Sequence, residues 1–132
     1  MEYKRLLQDI WQKVYDNNLD TATTIKQFFH PSFKQCINGE ESDLDDFIKH
    51  VIAPKIQMID IHMDYKYLVE EGESVEACYY PIGKNTKGKP IKAEVIVYVE
   101  FLNQQIRLIH GQVRYIKGSL ANADMYNGDN DA

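Results

Sequence analysis

Cysteine is scarce in this chain of 132 residues, which contains only Cys36 and Cys78. The two residues lie far apart among apolar or aromatic neighbours, a setting typical of buried thiols and not of a disulfide framework or a zinc site. We therefore predict a reducing compartment. We also expect no metal site and no cofactor.

Excess basic charge and long apolar runs are lacking as well. The formal net charge is -5 at pH 7, whereas binding to nucleic acid or anionic lipid needs clustered Lys and Arg that displace counterions. The N-terminus combines the charges of Glu2, Lys4 and Arg5 with an amphipathic pattern, which predicts neither a signal peptide nor a membrane span. We expect a cytoplasmic protein that binds neither nucleic acid nor membrane.

Helical spacing of apolar residues marks the first half of the chain, whose total length fits one domain. One face of a first helix is formed by Leu6, Leu7, Ile10, Trp11 and Val14. Asn17-Asn18 supplies a stop for this helix. A second, short helix is predicted to begin at Asp20 or Thr21 and to end before His30-Pro31, because proline disfavours the helical conformation of the residue before it.

A third helix follows a short extended segment. Phe33 to Ile37 is predicted to be extended, and Asn38-Gly39 is a turn signal. Ser42 followed by Asp45 resembles a capping box and predicts the start of the helix, while Pro54 limits its length. Its apolar face consists of Leu44, Phe47, Ile48, Val51 and Ile52.

From Ile59 onward the apolar period changes to two, which predicts strands. In the first strand Ile59, Ile61, Met63, Tyr65 and Tyr67 share one face, and Asp60, His62, Asp64 and Lys66 share the other. Three more strands are predicted at Val75 to Tyr80, Ile91 to Phe101 and Ile106 to Ile116. Both faces of the last strand are mixed, so periodicity does not orient it. We predict one domain over residues 1–118 and a mobile tail over residues 119–132.

This arrangement resembles the nuclear transport factor 2-like cone fold, in particular its SnoaL-like branch, over nearly the whole chain. The local match lies in Phe33-Lys34-Gln35-Cys36-Ile37-Asn38-Gly39 and Leu44-Asp45-Asp46-Phe47-Ile48-Lys49-His50. These segments are similar to the aromatic-x-Gln, Asp/Asn-Gly and Phe-x-x-His signature of uncharacterised SnoaL-like proteins. The resemblance implies an α+β fold in which three N-terminal helices pack on a strongly bent, mostly antiparallel sheet and enclose a cavity.

A cavity of that kind suits a small apolar or aromatic ligand. Polyketide cyclases and ketosteroid isomerases of the resembled superfamily use a pocket carboxylate as general base, and cyclase-like members often carry His-Trp-Asp on the final strand. This chain has Ile109-His110-Gly111-Gln112 there. Either His110 takes the histidine position and Gln112 replaces the acid, or the register slips by one residue and His110 replaces the aromatic.

The leading hypothesis is a small-molecule-binding SnoaL-like protein. Its possible reactions are those of an isomerase, a cyclase or a lyase that acts next to a carbonyl. His110 is its base candidate and Tyr98, by analogy with isomerase-like relatives, its hydrogen-bond donor. The alternative is a non-catalytic ligand-binding or dimerisation module, which the missing carboxylate favours. The chain is predicted to form a homodimer through the outer sheet face, because residues Ile91 to Ile116 carry apolar side chains on both faces.

Further ligand-binding candidates are Trp11, Tyr15, Phe29, Phe33, His50, His62, Tyr79 and Gln112. The aromatic residues in this group can equally be simple core. His62 shares a strand face with Asp60 and Asp64, where an acid/base pair competes with a solvated polar face. His50 follows Asp46 by four residues, so a helix-surface ion pair competes with a place at the rim of the pocket.

Overall fold

The computed structural model describes residues 2–118, and the predicted tail at 119–132 lies outside this range. The helices are α1 (Tyr3–Val14), α2 (Thr21–Phe28) and α3 (Leu44–Gln57), and the strands are β1 (Phe29–Ile37), β2 (Glu40–Asp43), β3 (Met58–Glu71), β4 (Ser74–Asn85), β5 (Pro90–Leu102) and β6 (Gln105–Lys117). None of the helices in this range is long and apolar enough to cross a membrane.

Side-chain caps set the starts of α2 and α3. The Asp20 carboxylate accepts from the Thr23 backbone N–H at 3.0 Å, as the sequence predicts for α2. In α3 the cap is Asp43, which accepts from the Asp46 N–H at 2.9 Å, so the predicted cap at Ser42 is wrong by one residue. Ser42 is buried in β2 instead.

The expectation that Pro54 limits α3 is also wrong, since the helix continues to Gln57. Proline inside a helix removes one backbone hydrogen bond. Pro54 is among the most completely buried side chains, and its packing against the core offsets that loss.

A single open sheet of six strands runs in the order β2-β1-β6-β5-β4-β3. All neighbouring strands are antiparallel except β1 and β6, which pair in parallel. The helices cover one face, and the main core lies between them and that face. This confirms the α+β architecture predicted from the resemblance.

Irregular pairings bend the sheet. Bulges interrupt β3 between Ile59 and His62 and again between Tyr65 and Tyr67, and Asp60 has a positive φ of 57°. A bulge shifts the alternation of a strand by one residue. The predicted apolar face of β3 therefore holds only over its centre, and Tyr67 is 42% exposed.

Gly111 allows a close approach of β5 and β6. It faces Val97 across β5 and β6, and an added Cβ would meet the Ile96 carbonyl oxygen and come within 2.7 Å of the Val97 Cα. A side chain at this position would force the strands apart. The missing Cβ thus lets β5 and β6 pack closely at this point of the sheet.

Candidate functional site

An internal cavity lies between the helices and the inner face of the sheet. It has a volume of about 50 Å³, and its wall is formed by Trp11, Tyr15, Gln35, Ile37, Phe47, His50, Val51, Pro54, Met63, Tyr79, Pro81, Val95, Val97, Ile109 and Val113. Of the residues described, no Asp, Glu, Lys or Arg lines it. The site is therefore an apolar pocket with a few polar groups, the usual composition of a small-molecule site.

Gln35 and His50 bring side-chain amide and imidazole groups to this cavity from two elements, β1 and α3. Gln35 is only 4% exposed, and the Nδ1 atom of His50 is buried. The half-buried His50 thus reaches the wall of the cavity. An imidazole can donate or accept a hydrogen bond, and the amide can orient a ligand by donating and accepting hydrogen bonds.

A cluster of phenylalanines positions these two residues. Phe33, two residues before Gln35, and Phe47, three before His50, have ring centroids 5.0 Å apart. Phe29 packs on both at the same centroid distance. Phe29 and Phe33 are fully buried core residues and do not line the cavity, unlike Phe47. The two halves of the sequence signature therefore converge on one site.

Asn38 connects the turn after β1 to the centre of β6. Its side-chain amide donates to the Val113 carbonyl at 2.8 Å and accepts from the Val113 N–H at 3.1 Å. Its backbone N–H donates to the Gly111 carbonyl at 3.0 Å. These bonds help to position Val113, which lines the cavity.

A groove adjoins the cavity, with Trp11, Tyr15 and Met63 lining both. The groove has a volume of about 460 Å³, and its remaining walls are Gln8, Gln12, Ile61, His62 and Tyr65. Burial raises the pKa of Tyr65 to about 12, so its hydroxyl keeps its proton at neutral pH. His62 is exposed at the groove.

His110, Tyr98 and Gln112 lie elsewhere, in a cleft on the outer sheet face. His110 pairs with Tyr98 on one side and with Cys36 on the other, and paired residues project to the same face. The inward residues of β6 are Ile109 and Val113. His110, Tyr98 and Gln112 are therefore on the opposite side of the sheet from the cavity, which corrects their expected placement.

The Tyr98 hydroxyl forms hydrogen bonds with neighbouring side chains on the outer face. It lies 2.9 Å from the Ser74 hydroxyl oxygen and donates to a Glu100 carboxylate oxygen at 3.2 Å. Arg107 forms an ion pair with the same carboxylate. A base and donor pair of His110 and Tyr98 can thus act only on a molecule bound to the outer face.

Other expectations about polar side chains have mixed outcomes. Cys78 is buried as predicted, but Cys36 is partly exposed at the outer cleft. Within residues 2–118, no group of three or more His, Cys, Asp or Glu side chains is arranged to hold a metal ion. Gln35 was missed as a site residue, although alternation of Phe33, Gln35 and Ile37 would have placed it on the core face.

Solved structures share this architecture. AclR of Streptomyces galilaeus, a proposed hydroxylase, matches with a TM-score of 0.73 at 12% identity over 87% of this chain and 80% of its own. A SnoaL-like polyketide cyclase from Agrobacterium tumefaciens has a TM-score of 0.69 at 11% identity, with 86% and 91% covered. A nuclear transport factor 2-like protein of unknown function from Exiguobacterium has a TM-score of 0.65 at 17% identity, with 83% and 96% covered.

The chain has the nuclear transport factor 2-like cone fold. No protein-family profile matches the chain. An uncharacterized protein of Schizosaccharomyces pombe, C11D3.04c, is 22% identical over 113 residues, which cover 86% of this chain and 87% of that protein. Identities this low establish the cone fold and leave its chemistry to the residues of the site.

Proposed function

We propose that this cone-fold protein binds a small, predominantly apolar molecule in the internal cavity and the adjoining groove. The observation that carries the proposal is the apolar cavity onto which Gln35 and His50 converge, with no charged Asp, Glu, Lys or Arg side chain of the described chain on its wall. Aliphatic and aromatic walls supply affinity, and the two polar groups orient the ligand.

The size of the cavity determines how a ligand lies. A volume of about 50 Å³ accommodates only a few atoms, whereas pockets for drug-sized ligands typically measure roughly 300–1,000 Å³. A ring-containing ligand must therefore extend into the groove past Trp11, Tyr15 and Met63. Met63 is the most adaptable of the three because its side chain is unbranched and flexible.

A reaction next to a carbonyl is the catalytic version of this proposal. The polyketide cyclase from Agrobacterium tumefaciens supports it by shared fold. Since no carboxylate of residues 2–118 lines the cavity, His50 is the base candidate there, with Gln35 as the orienting amide. The alternative is non-catalytic binding, in which the same cavity holds a ligand that is not converted.

The proposal also includes the cellular location and the oligomeric state of the protein. Two free cysteines are consistent with a cytoplasmic location. A homodimer through the outer sheet face would cover Ile96 and Ile116, which are 38% and 43% exposed. Light scattering checks the assembly, because a mass near that of one chain, 15.4 kDa, at micromolar concentration would contradict a dimer.

A thermal-shift and native mass spectrometry screen of small cyclic and aromatic carbonyl compounds tests the binding proposal, since a ligand of the native state raises its stability. Val97 lines the cavity and its neighbour Ile96 points into the outer cleft, so Val97→Phe and Ile96→Phe form a matched pair. We expect Val97→Phe to abolish binding and Ile96→Phe to preserve it.

Circular dichroism shows whether Val97→Phe folds, because overpacking costs about 1–3 kcal/mol. If this variant unfolds, Val113→Ile adds one methylene to the same cavity and replaces it. Equal loss of binding in the cavity and outer-face variants would contradict the proposed site.

A further inference from the structure

A buried donor in the wall of the cavity has no hydrogen-bond partner within the described chain. The indole Nε1 of Trp11 is shielded from solvent and no acceptor from residues 2–118 reaches it, while the whole side chain is 5% exposed. Leaving a buried N–H unsatisfied destabilises the folded state. A phenylalanine at this position would supply an aromatic ring without that cost.

The position of Trp11 relates this donor to the ligand site. Its ring lies 6.1 Å from Phe29 and 6.5 Å from Phe47, between centroids, so packing against the core holds it in place. Trp11 lines both the cavity and the groove. A ligand that spans the two spaces must pass along the indole.

The charges of the surrounding side chains limit which acceptor groups the Trp11 N–H could bind. Neither the cavity nor the groove has a Lys or Arg on its described wall. A buried carboxylate or phosphate without a cationic partner is strongly disfavoured. A neutral acceptor oxygen, such as that of a ketone, can be buried at little cost once the indole donates to it.

We propose that Trp11 recognises its ligand by donating a hydrogen bond from Nε1 to a neutral carbonyl oxygen. The ligand class is a small, uncharged ring compound that carries a ketone or a related carbonyl. Its hydrocarbon part lies against the apolar walls. This inference rests on the proposed function and adds the chemical group that the site selects.

The test compares 1-indanone with indane, which has the same fused rings without the carbonyl. A net hydrogen bond of about 0.5–1.5 kcal/mol corresponds to roughly a twofold to tenfold preference for indanone, measured by titration calorimetry. Trp11→Phe should reduce the ratio of the indanone affinity to the indane affinity to near unity. Tyr98→Phe, which removes a hydroxyl on the outer face, should retain the preference.

A second measurement needs no variant, because Trp11 is the sole tryptophan of the chain. A 15N-labelled sample has one indole N–H resonance, and indanone should move it downfield more than indane does. If both compounds bind equally and the resonance responds equally to them, the carbonyl inference is wrong while the cavity proposal stands. If neither compound binds at millimolar concentration, the proposed function fails and this inference fails with it.

Discussion

Replacing Gly111 by alanine tests whether the close approach of β5 and β6 shapes the cone. The new Cβ would lie 2.7 Å from the Val97 Cα and 2.9 Å from the Val97 Cγ1, in addition to meeting the Ile96 carbonyl. Two of these three atoms belong to backbone, which cannot rotate away as a side-chain end can. Overpacking against side chains costs about 1–3 kcal/mol, so we expect a loss of at least about 3 kcal/mol here.

That loss is large compared with a total stability of about 5–15 kcal/mol for a typical domain. Urea unfolding followed by circular dichroism measures it. Gly88→Ala is the control, because Gly88 has a φ of 83° but nothing within 4 Å of an added Cβ. Its cost is conformational alone, about 1–2 kcal/mol.

The comparison separates steric from conformational cost. If Gly111→Ala were no less stable than Gly88→Ala, contact between the two strands would not be what Gly111 provides. The bend of the sheet would then need another cause. Because Gly111 faces Val97, a cavity-lining residue, a folded Gly111→Ala protein should also bind cavity ligands more weakly.

Three further predictions concern catalysis, helix packing and pH. Once a substrate is known, His50→Ala should lower kcat at least about a hundredfold, and His110→Ala should leave kcat near the wild-type value. The reverse result would show that the active site lies in the outer cleft. Lys55→Met should lower the urea-unfolding free energy by about 1–2 kcal/mol, because the Lys55 Nζ donates to the Val14 and Asp16 carbonyls at 2.8 and 3.0 Å. Hydrogen bonds from Arg114 and Arg107 lower the pKa values of Glu94 and Glu100 below 4.5. The two ionised carboxylates therefore stabilise the folded state above that pH, and the unfolding free energy measured in urea should decline as the pH falls below it.

Local chemistry predicted most of the elements. Apolar residues at spacings of three and four placed α1, and the Asp20 cap placed the start of α2. The end of α3 was mispredicted because local rules count the missing N–H of Pro54 and do not include its burial. In the same way, alternation could not anticipate the bulges of β3, which depend on pairing with β4.

The candidate site was predicted in part. Trp11, Tyr15, His50 and Tyr79 do line the cavity. Helical periodicity directed Trp11 inward, whereas Tyr15, His50 and Tyr79 were assigned to the pocket from the resemblance to SnoaL-like proteins. His110 was assigned from its position along the chain, and the structure places it on the outer face.

The sequence by itself thus determined which segments form helices and strands, through residue types, their spacing and the helix caps. It also indicated that Phe33-x-Gln35 and Phe47-x-x-His50 belong to one fold. The face that β6 turns inward follows only from its pairing with β1 and β5. A strand with mixed faces has no strong preference of its own, so a shift of one residue would exchange them. Tertiary packing decided that His50, and not His110, lies at the cavity, because burying Ile109 and Val113 leaves His110 and Gln112 on the other side of the sheet.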